Sequence, residues 1–312
     1  MAISGTGTQA DPYIVDSVAA LLQKVQENSV YIKIAKDLDC YKEDTPWKKV
    51  YWNCKNVDGQ NHKIDNIYAG NDCIQLNASN MLIEKIIFNI TCDSLSESPR
   101  IFLASNYYSS GSINSCRINL TLENTKDDVY AFYIERDWIY LNNCKIKVAL
   151  KGKIATFTLI YASMQNYVRN SEILVYTDDS AIIDEMNILK RVNIERCRVR
   201  IEVPECNRCH IIYSNGQISS SYFIGNIGTD EPLFNNTYYT IQNSYIALKN
   251  HKSKVNISTN SPTSDRTTAY NAINTFINAE DTNIVPVGSF IGLTEAQCKD
   301  PDYLNSIRWY VK

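Results

Sequence analysis

The sequence is poor in the residues and runs that would suggest a flexible, membrane-spanning or nucleic-acid-binding chain. Eleven glycines among 312 residues are about half the usual share of ~7%, so tight turns must be built largely from something else. No apolar run approaches the ~20 residues that cross a bilayer as a helix, and no membrane partner is expected. A basic excess is also missing: 31 Lys and Arg stand against 34 Asp and Glu, a formal charge of −3. A general nucleic-acid binder usually shows the opposite bias. The stretch from Met1 to Gly7 has neither the basic nor the apolar region of a secretory leader. The expectation is a chain made in the cytoplasm, where ten cysteines stay reduced instead of forming a disulfide framework.

Asn, Ile and Tyr are abundant, with 21 Tyr. Ile and Tyr favour strands, and Asn tolerates the left-handed backbone that tight turns need. The composition therefore reads as many strands joined by Asn-built turns, in one elongated domain or two compact ones.

The position of the cysteines is more informative than their number. In Ile113-Asn-Ser-Cys116-Arg-Ile118-Asn-Leu120, Leu141-Asn-Asn-Cys144-Lys-Ile146-Lys-Val148 and Ile194-Glu-Arg-Cys197-Arg-Val199-Arg-Ile201, one frame recurs. An aliphatic residue lies three before each Cys, and others lie two and four after it. Ser takes the same place at Ser171, Ser221 and Ser244, and Ile at Ile86. The anchors 86, 116, 144, 171, 197, 221 and 244 are spaced by 30, 28, 27, 26, 24 and 23 residues.

Seven units of this length are an internal repeat. Period-2 alternation puts the anchor and its aliphatic neighbours on one face and Arg117, Lys145, Lys147, Glu172, Arg198, Arg200 and Tyr245 on the other. Three residues from aliphatic to anchor break that parity, so the polar pair between them, such as Asn142-Asn143 or Ser219-Ser220, must bend. Strand, bend and strand at this period predict an all-β fold, a parallel β-helix or solenoid, in about eight coils stacked ~4.8 Å apart. Coil length and the usual crossover hand favour a right-handed one.

An open solenoid end needs cover. Residues 1–30 are expected to supply it with a helix over 16–25, N-capped by Asp16 or Ser17 and carrying Val18, Leu21, Leu22 and Val25 on one stripe. Residues 31–250 form the β-helix, and 251–312 a polar linker with a small C-terminal element. Thr294-Glu-Ala-Gln297 is a capping-box pattern that starts a short helix there.

These end segments also carry a resemblance. Gly5-Thr-Gly-Thr-Gln-Ala-Asp-Pro-Tyr-Ile-Val15 with its helix, Val57-Asp-Gly-Gln-Asn-His-Lys-Ile64, and Gly292-Leu-Thr-Glu-Ala-Gln-Cys298 with Asp302–Ile307 resemble segments of phage-encoded right-handed parallel β-helix structural proteins. The resemblance implies a virion component: a head fibre, decoration protein or tail-associated fibre. It implies other virion proteins as partners and a homo-oligomer, with a trimer as one form, although no heptad seam specifies a coiled coil. It supplies no catalytic residue and no cofactor. A receptor-binding or glycan-degrading tailspike and a bacterial surface adhesin are the alternative readings.

Three residue groups are candidates for chemistry. Cys206-Asn-Arg-Cys209-His210 matches the c-type haem attachment pattern, but attachment needs export, and zinc needs a fourth ligand. The expectation is a structural turn between two strands, without metal. The carboxylates Asp127-Asp128, Glu135 with Asp137, Asp178-Asp179 and Asp184-Glu185 are acidic pairs of the kind that hydrolyse glycans. Most sit in expected turns and share no offset from the anchors, so no catalytic residue is assigned. Tyr107, Tyr108, Trp138, Tyr140, Tyr167, Tyr238 and Tyr239 cluster near strand junctions. They are candidate contacts for a host surface glycan or a partner protein, or else stack on one another in external ladders.

Overall fold

The computed structural model describes residues 3–306 except 46, 48, 70–72, 94–98, 105–109, 136–137, 214–215, 232, 236–238, 243, 251, 253–254, 257–274, 279–283, 286–289 and 299. The chain is all-β, a parallel β-solenoid of about seven turns, against the eight expected from length. Each central coil contributes three strand segments. One follows the anchor and belongs to an 11-stranded parallel sheet; the other two lie in runs of a second, 17-stranded sheet.

The post-anchor strands keep one register through six coils. Ile118, Ile146, Ile173, Val199, Phe223 and Ile246 are successive partners, and all are buried. These are the positions two after each anchor. Four after the anchor, Leu120, Val148, Val175 and Ile201 pair in turn, then Gly225 interrupts before Leu248. Gly225 has φ +139°, and a Cβ there would lie 1.8 Å from the Ile201 carbonyl oxygen, so no larger residue fits the frame at this point. The aliphatics three before the anchor form their own ladder, from Ile83 through Ile113, Leu141, Val168 and Ile194 to Ile218.

Between these ladders lies the corner. The residue just before each anchor from Ile86 to Ser221 has a left-handed backbone: Lys85 (φ 53°), Ser115 (53°), Asn143 (54°), Asn170 (50°), Arg196 (54°) and Ser220 (50°). The bend is where parity requires it, but it is not Asn-built as composition suggests; Lys, Ser and Arg occupy it too. Left-handed backbone costs an L-residue roughly 1–2 kcal/mol. Hydrogen bonds between coils offset that cost at the corners from Lys85 to Arg196. The Ser115 N–H donates to the Asn142 carbonyl (3.0 Å), Asn143 to Arg169 (3.0 Å), Asn170 to Glu195 (3.0 Å) and Arg196 to Ser219 (3.0 Å).

The anchor side chain completes the corner. Ser171 and Ser221 donate their hydroxyls to the carbonyls two residues back, both at 2.7 Å. The same oxygens accept the buried backbone N–H of the preceding coil's anchor, Cys144 and Cys197, both at 3.0 Å. The thiols of Cys116, Cys144 and Cys197 make the first of these contacts, to Asn114, Asn142 and Glu195 at 3.3, 3.4 and 3.3 Å. From Cys116 to Ser221 Cys and Ser exchange at the corner because both are small and both donate to the carbonyl two residues back.

Inside the coils Phe102 and Phe132 stack at 4.9 Å, and Phe88 meets Phe102 edge-on at 5.5 Å. Near the N-terminus, helix Val18–Lys24 is capped by the Ser17 hydroxyl, which accepts from the Ala20 N–H at 3.2 Å. Of the expected stripe, Val18, Leu21 and Val25 are buried and Leu22 is half-buried against the core. The parallel pairing is not confined to residues 31–250. Tyr13–Val15 pairs with Tyr31–Ile34, and Tyr245–Asn250 pairs with Thr275–Asn278, which pairs with Phe290–Leu293. Short helices Glu295–Cys298 and Pro301–Ser306 follow, and the capping box is formed: the Gln297 N–H reaches the Thr294 hydroxyl at 3.2 Å and the Thr294 N–H the Gln297 side chain at 2.9 Å.

The corner makes a direct prediction. Ser171→Ala leaves the Cys144 N–H buried without its acceptor and is expected to cost about 1–3 kcal/mol. Cys144→Ser keeps donor and size and is expected to change stability by less than about 1 kcal/mol. Urea denaturation of both variants checks the contrast; equal losses would show that the side-chain bridge does not matter.

Candidate functional site

The Cys206–His210 motif is not a turn. It lies in strand Cys206–Tyr213, which pairs in parallel with Ile182–Glu195. Cys206 and Cys209 are both buried, because the backbone turns both inward with Asn207 and Arg208 outside. The Cys206 thiol donates to the Arg208 carbonyl at 3.1 Å. The neighbouring Cys206 sulfur, together with burial, holds the pKa of the Cys209 thiol well above its ordinary value. His210 is buried, with its ring 5.3 Å from that of Tyr213. Among the described residues, no group of three or more His, Cys, Asp or Glu side chains is placed to hold a metal ion.

The candidate carboxylates are spread over the ladder. Asp184 and Glu185 lie in strand Ile182–Glu195, not in the turn expected for them. Glu185 sits between Thr156 and Arg208 in register and pairs with the Arg208 guanidinium at 2.9 Å. Asp184 accepts from the Asn207 amide at 3.1 Å. Asp178 does occupy a turn and accepts from the Ser180 N–H and hydroxyl at 3.1 and 2.8 Å. Asp128 opens strand Asp128–Ile134, 3.4 Å from the Tyr130 hydroxyl. Asp137 lies outside the described residues.

Of the seven aromatic candidates, Tyr107, Tyr108 and Tyr238 lie outside the described residues. Trp138 and Tyr239 begin strands Trp138–Asn142 and Tyr239–Gln242. Tyr140 and Tyr167 are brought together. They are register partners on adjacent coils, their rings stack at 5.7 Å and 19°, and the Arg169 guanidinium covers Tyr167 at 4.8 Å.

A second outer ladder escaped sequence analysis. Tyr133, Tyr161, Lys190 and Tyr213 are successive register partners. The Tyr133 and Tyr161 rings stack at 4.7 Å and 4°. The Lys190 ammonium lies between Tyr161 and Tyr213, 4.8 and 5.0 Å from their centroids, and burial lowers its pKa. The signal was there: Tyr133, Tyr161 and Tyr213 each follow a buried apolar residue, Phe132, Ile160 and Ile212.

An open groove of about 490 Å³ runs along the first ladder, from Ser112 and Asn114 through Tyr140 and Asn142 to Arg169 and Arg196. It crosses four coils. Two guanidiniums share one carboxylate at its far end: Arg169 and Arg196 both reach Glu195 at 2.9 Å. The Asn170 amide donates to Asn142 at 2.9 Å. At the near end, the Asn114 side-chain carbonyl is a buried atom with no hydrogen-bond partner.

The thiols make no second site. Burial pushes the Cys54 pKa up to about 12 and those of Cys144 and Cys197 up to about 11. In the unfolded chain they ionise near their ordinary value. The folded state therefore holds protons that the unfolded state loses, and stability is expected to fall as pH rises from about 9 to about 11. Denaturant melts across that range check this. A pH-independent midpoint would contradict it. A thiol reagent at neutral pH is expected to label the native chain far more slowly than the unfolded one.

Comparison of the chain with protein-family models, with curated proteins and with solved structures returned no match.

Proposed function

We propose that the chain is a non-enzymatic structural component of a bacteriophage virion, a head fibre, decoration protein or tail-associated fibre. The observation that carries the structural reading is the unbroken register of the post-anchor sheet, in which each coil is fixed to the next by backbone and corner hydrogen bonds. Such an array is stiff along its axis and repeats its outer faces at ~4.8 Å. That suits a part that spaces or displays other parts.

Three of the acidic candidates support the same reading. Glu185 and Asp184 are tied to Arg208 and Asn207 of the next coil, and Asp178 holds its own turn. The virion assignment rests on the likeness of the end segments to phage β-helix proteins, and a homo-oligomer built with other virion proteins follows from it.

Two measurements test the proposal. Peptides of the chain are expected in the mass spectrum of purified phage particles, and their absence from particles while the protein accumulates in the lysate would refute the virion role. Incubated with host surface polysaccharide, the protein is expected to leave chain length unchanged. Shortened chains would establish the glycan-degrading tailspike instead.

A further inference from the structure

We propose that the groove over Tyr140 is a binding site for a short stretch of acidic polysaccharide. The inference does not depend on the virion assignment. It begins with a gap in the outer ladder. The register runs Ser112, Tyr140, Tyr167. Tyr167 covers one face of the Tyr140 ring. On the other side, at the position where a further ring would continue the stack, stands Ser112. One rung of the ladder is thus open above an aromatic face, at the ~4.8 Å spacing of the coils.

That notch has the chemistry of a sugar subsite. The apolar face of a pyranose packs on an aromatic ring much as another ring would, and its rim carries hydroxyls that donate and accept. Further along, the Asn142 and Asn170 amides form a polar wall.

The far end selects for charge. Arg169 and Arg196 share the single carboxylate of Glu195, so the cluster keeps one uncompensated positive charge. A guanidinium has five N–H donors in a planar fork, and the free edges of two such forks match a carboxylate. Four coils span roughly 14 Å, enough for the groove to hold a short linear saccharide with a ring on Tyr140 and an acidic group at the arginines. A neutral saccharide satisfies the first contact only.

The test uses the full-length protein, with an oligogalacturonate as the acidic probe and a cello-oligosaccharide of equal length as the neutral one, in calorimetric titrations at low and high salt. The acidic probe is expected to bind more tightly than the neutral one and to weaken as salt screens the arginines. Arg196→Asn removes the charge yet suits the left-handed backbone at that corner, and is expected to weaken acidic-probe binding about tenfold. Tyr140→Ala is expected to weaken both probes by about five- to tenfold.

Arg200→Gln removes an arginine from the other sheet and is expected to leave binding unchanged. Thermal melts confirm that each variant is folded, and Arg196→Asn still decides the matter if Tyr140→Ala does not fold. No binding of the acidic probe, or binding that Arg196→Asn leaves intact, overturns the proposal. So does sedimentation showing a self-association that Tyr140→Ala abolishes, which would assign the groove to a contact between copies of the chain.

Discussion

Everything in this fold depends on how one coil is fixed to the next at the corner before the post-anchor strand. A backbone turn made by one left-handed residue exposes carbonyls and N–H groups to a dry interior, and each needs a partner. A small side chain with a donor supplies one by reaching back two residues, as Ser171 does to Arg169. When that side chain is Ser it also accepts the N–H of the preceding anchor. At Ile86, the first anchor, an apolar side chain fills the same corner and is fully buried, whereas from Cys116 to Ser221 the side chain is small and carries a donor. Cys and Ser are both small and both reach the carbonyl two residues back, which is why they exchange along the repeat.

The corner also decides what happens on the outside. Because register is fixed there, each outward residue has one lateral neighbour per side and no freedom to choose another. The ladders of Tyr133, Tyr161, Lys190 and Tyr213, and of Ser112, Tyr140 and Tyr167, follow from the same constraint that stacks Ile118 on Ile146. An ammonium between two rings and a guanidinium over a third are the cationic rungs of such ladders. Their energies are modest at a surface, so they adorn the solenoid more than they hold it up. The core does that.

The fold was largely legible because its period is written twice, in the alternation of strands and in the spacing of the anchors. Ile113, Leu141, Val168 and Ile194 declare the frame before the corner, and Ile118, Ile146, Ile173 and Val199 after it. What the sequence hid has physical reasons. The left-handed residue varies among Lys, Ser, Asn and Arg because hydrogen bonds to the next coil stabilise that conformation whatever the side chain, so propensity is overruled. Cys206-x-x-Cys209 reads as a turn by composition, yet parallel pairing with Ile183 and Met186 keeps it a strand and sends both thiols inward. Beyond residue 250 the strands Thr275–Asn278 and Phe290–Leu293 continue the sheet without the anchor residues, so the frame that identified the other coils was silent there. The groove was half visible: Tyr140 and Tyr167 stood out as aromatics, while the residue that opens it, Ser112, looks like any serine.

That last point bears on how a solenoid acquires a binding site at all. A regular ladder is self-satisfying: rings stack on rings, amides on amides, and charges alternate, leaving little for a ligand to do. A site appears where the repeat is broken on the outside while the inside stays intact. Here Ile113 keeps its place in the inner ladder between Ile83 and Leu141, and its strand neighbour Ser112 withdraws a side chain from the outer one. The fold bears no cost for the gap, since the corner and core of that coil are unchanged. The Tyr140 face that the gap uncovers is what a ring-shaped ligand needs. Outer-face substitutions in such a chain are therefore nearly free to tune recognition, coil by coil, whereas an inner substitution such as any residue for Gly225 is limited by the neighbouring backbone.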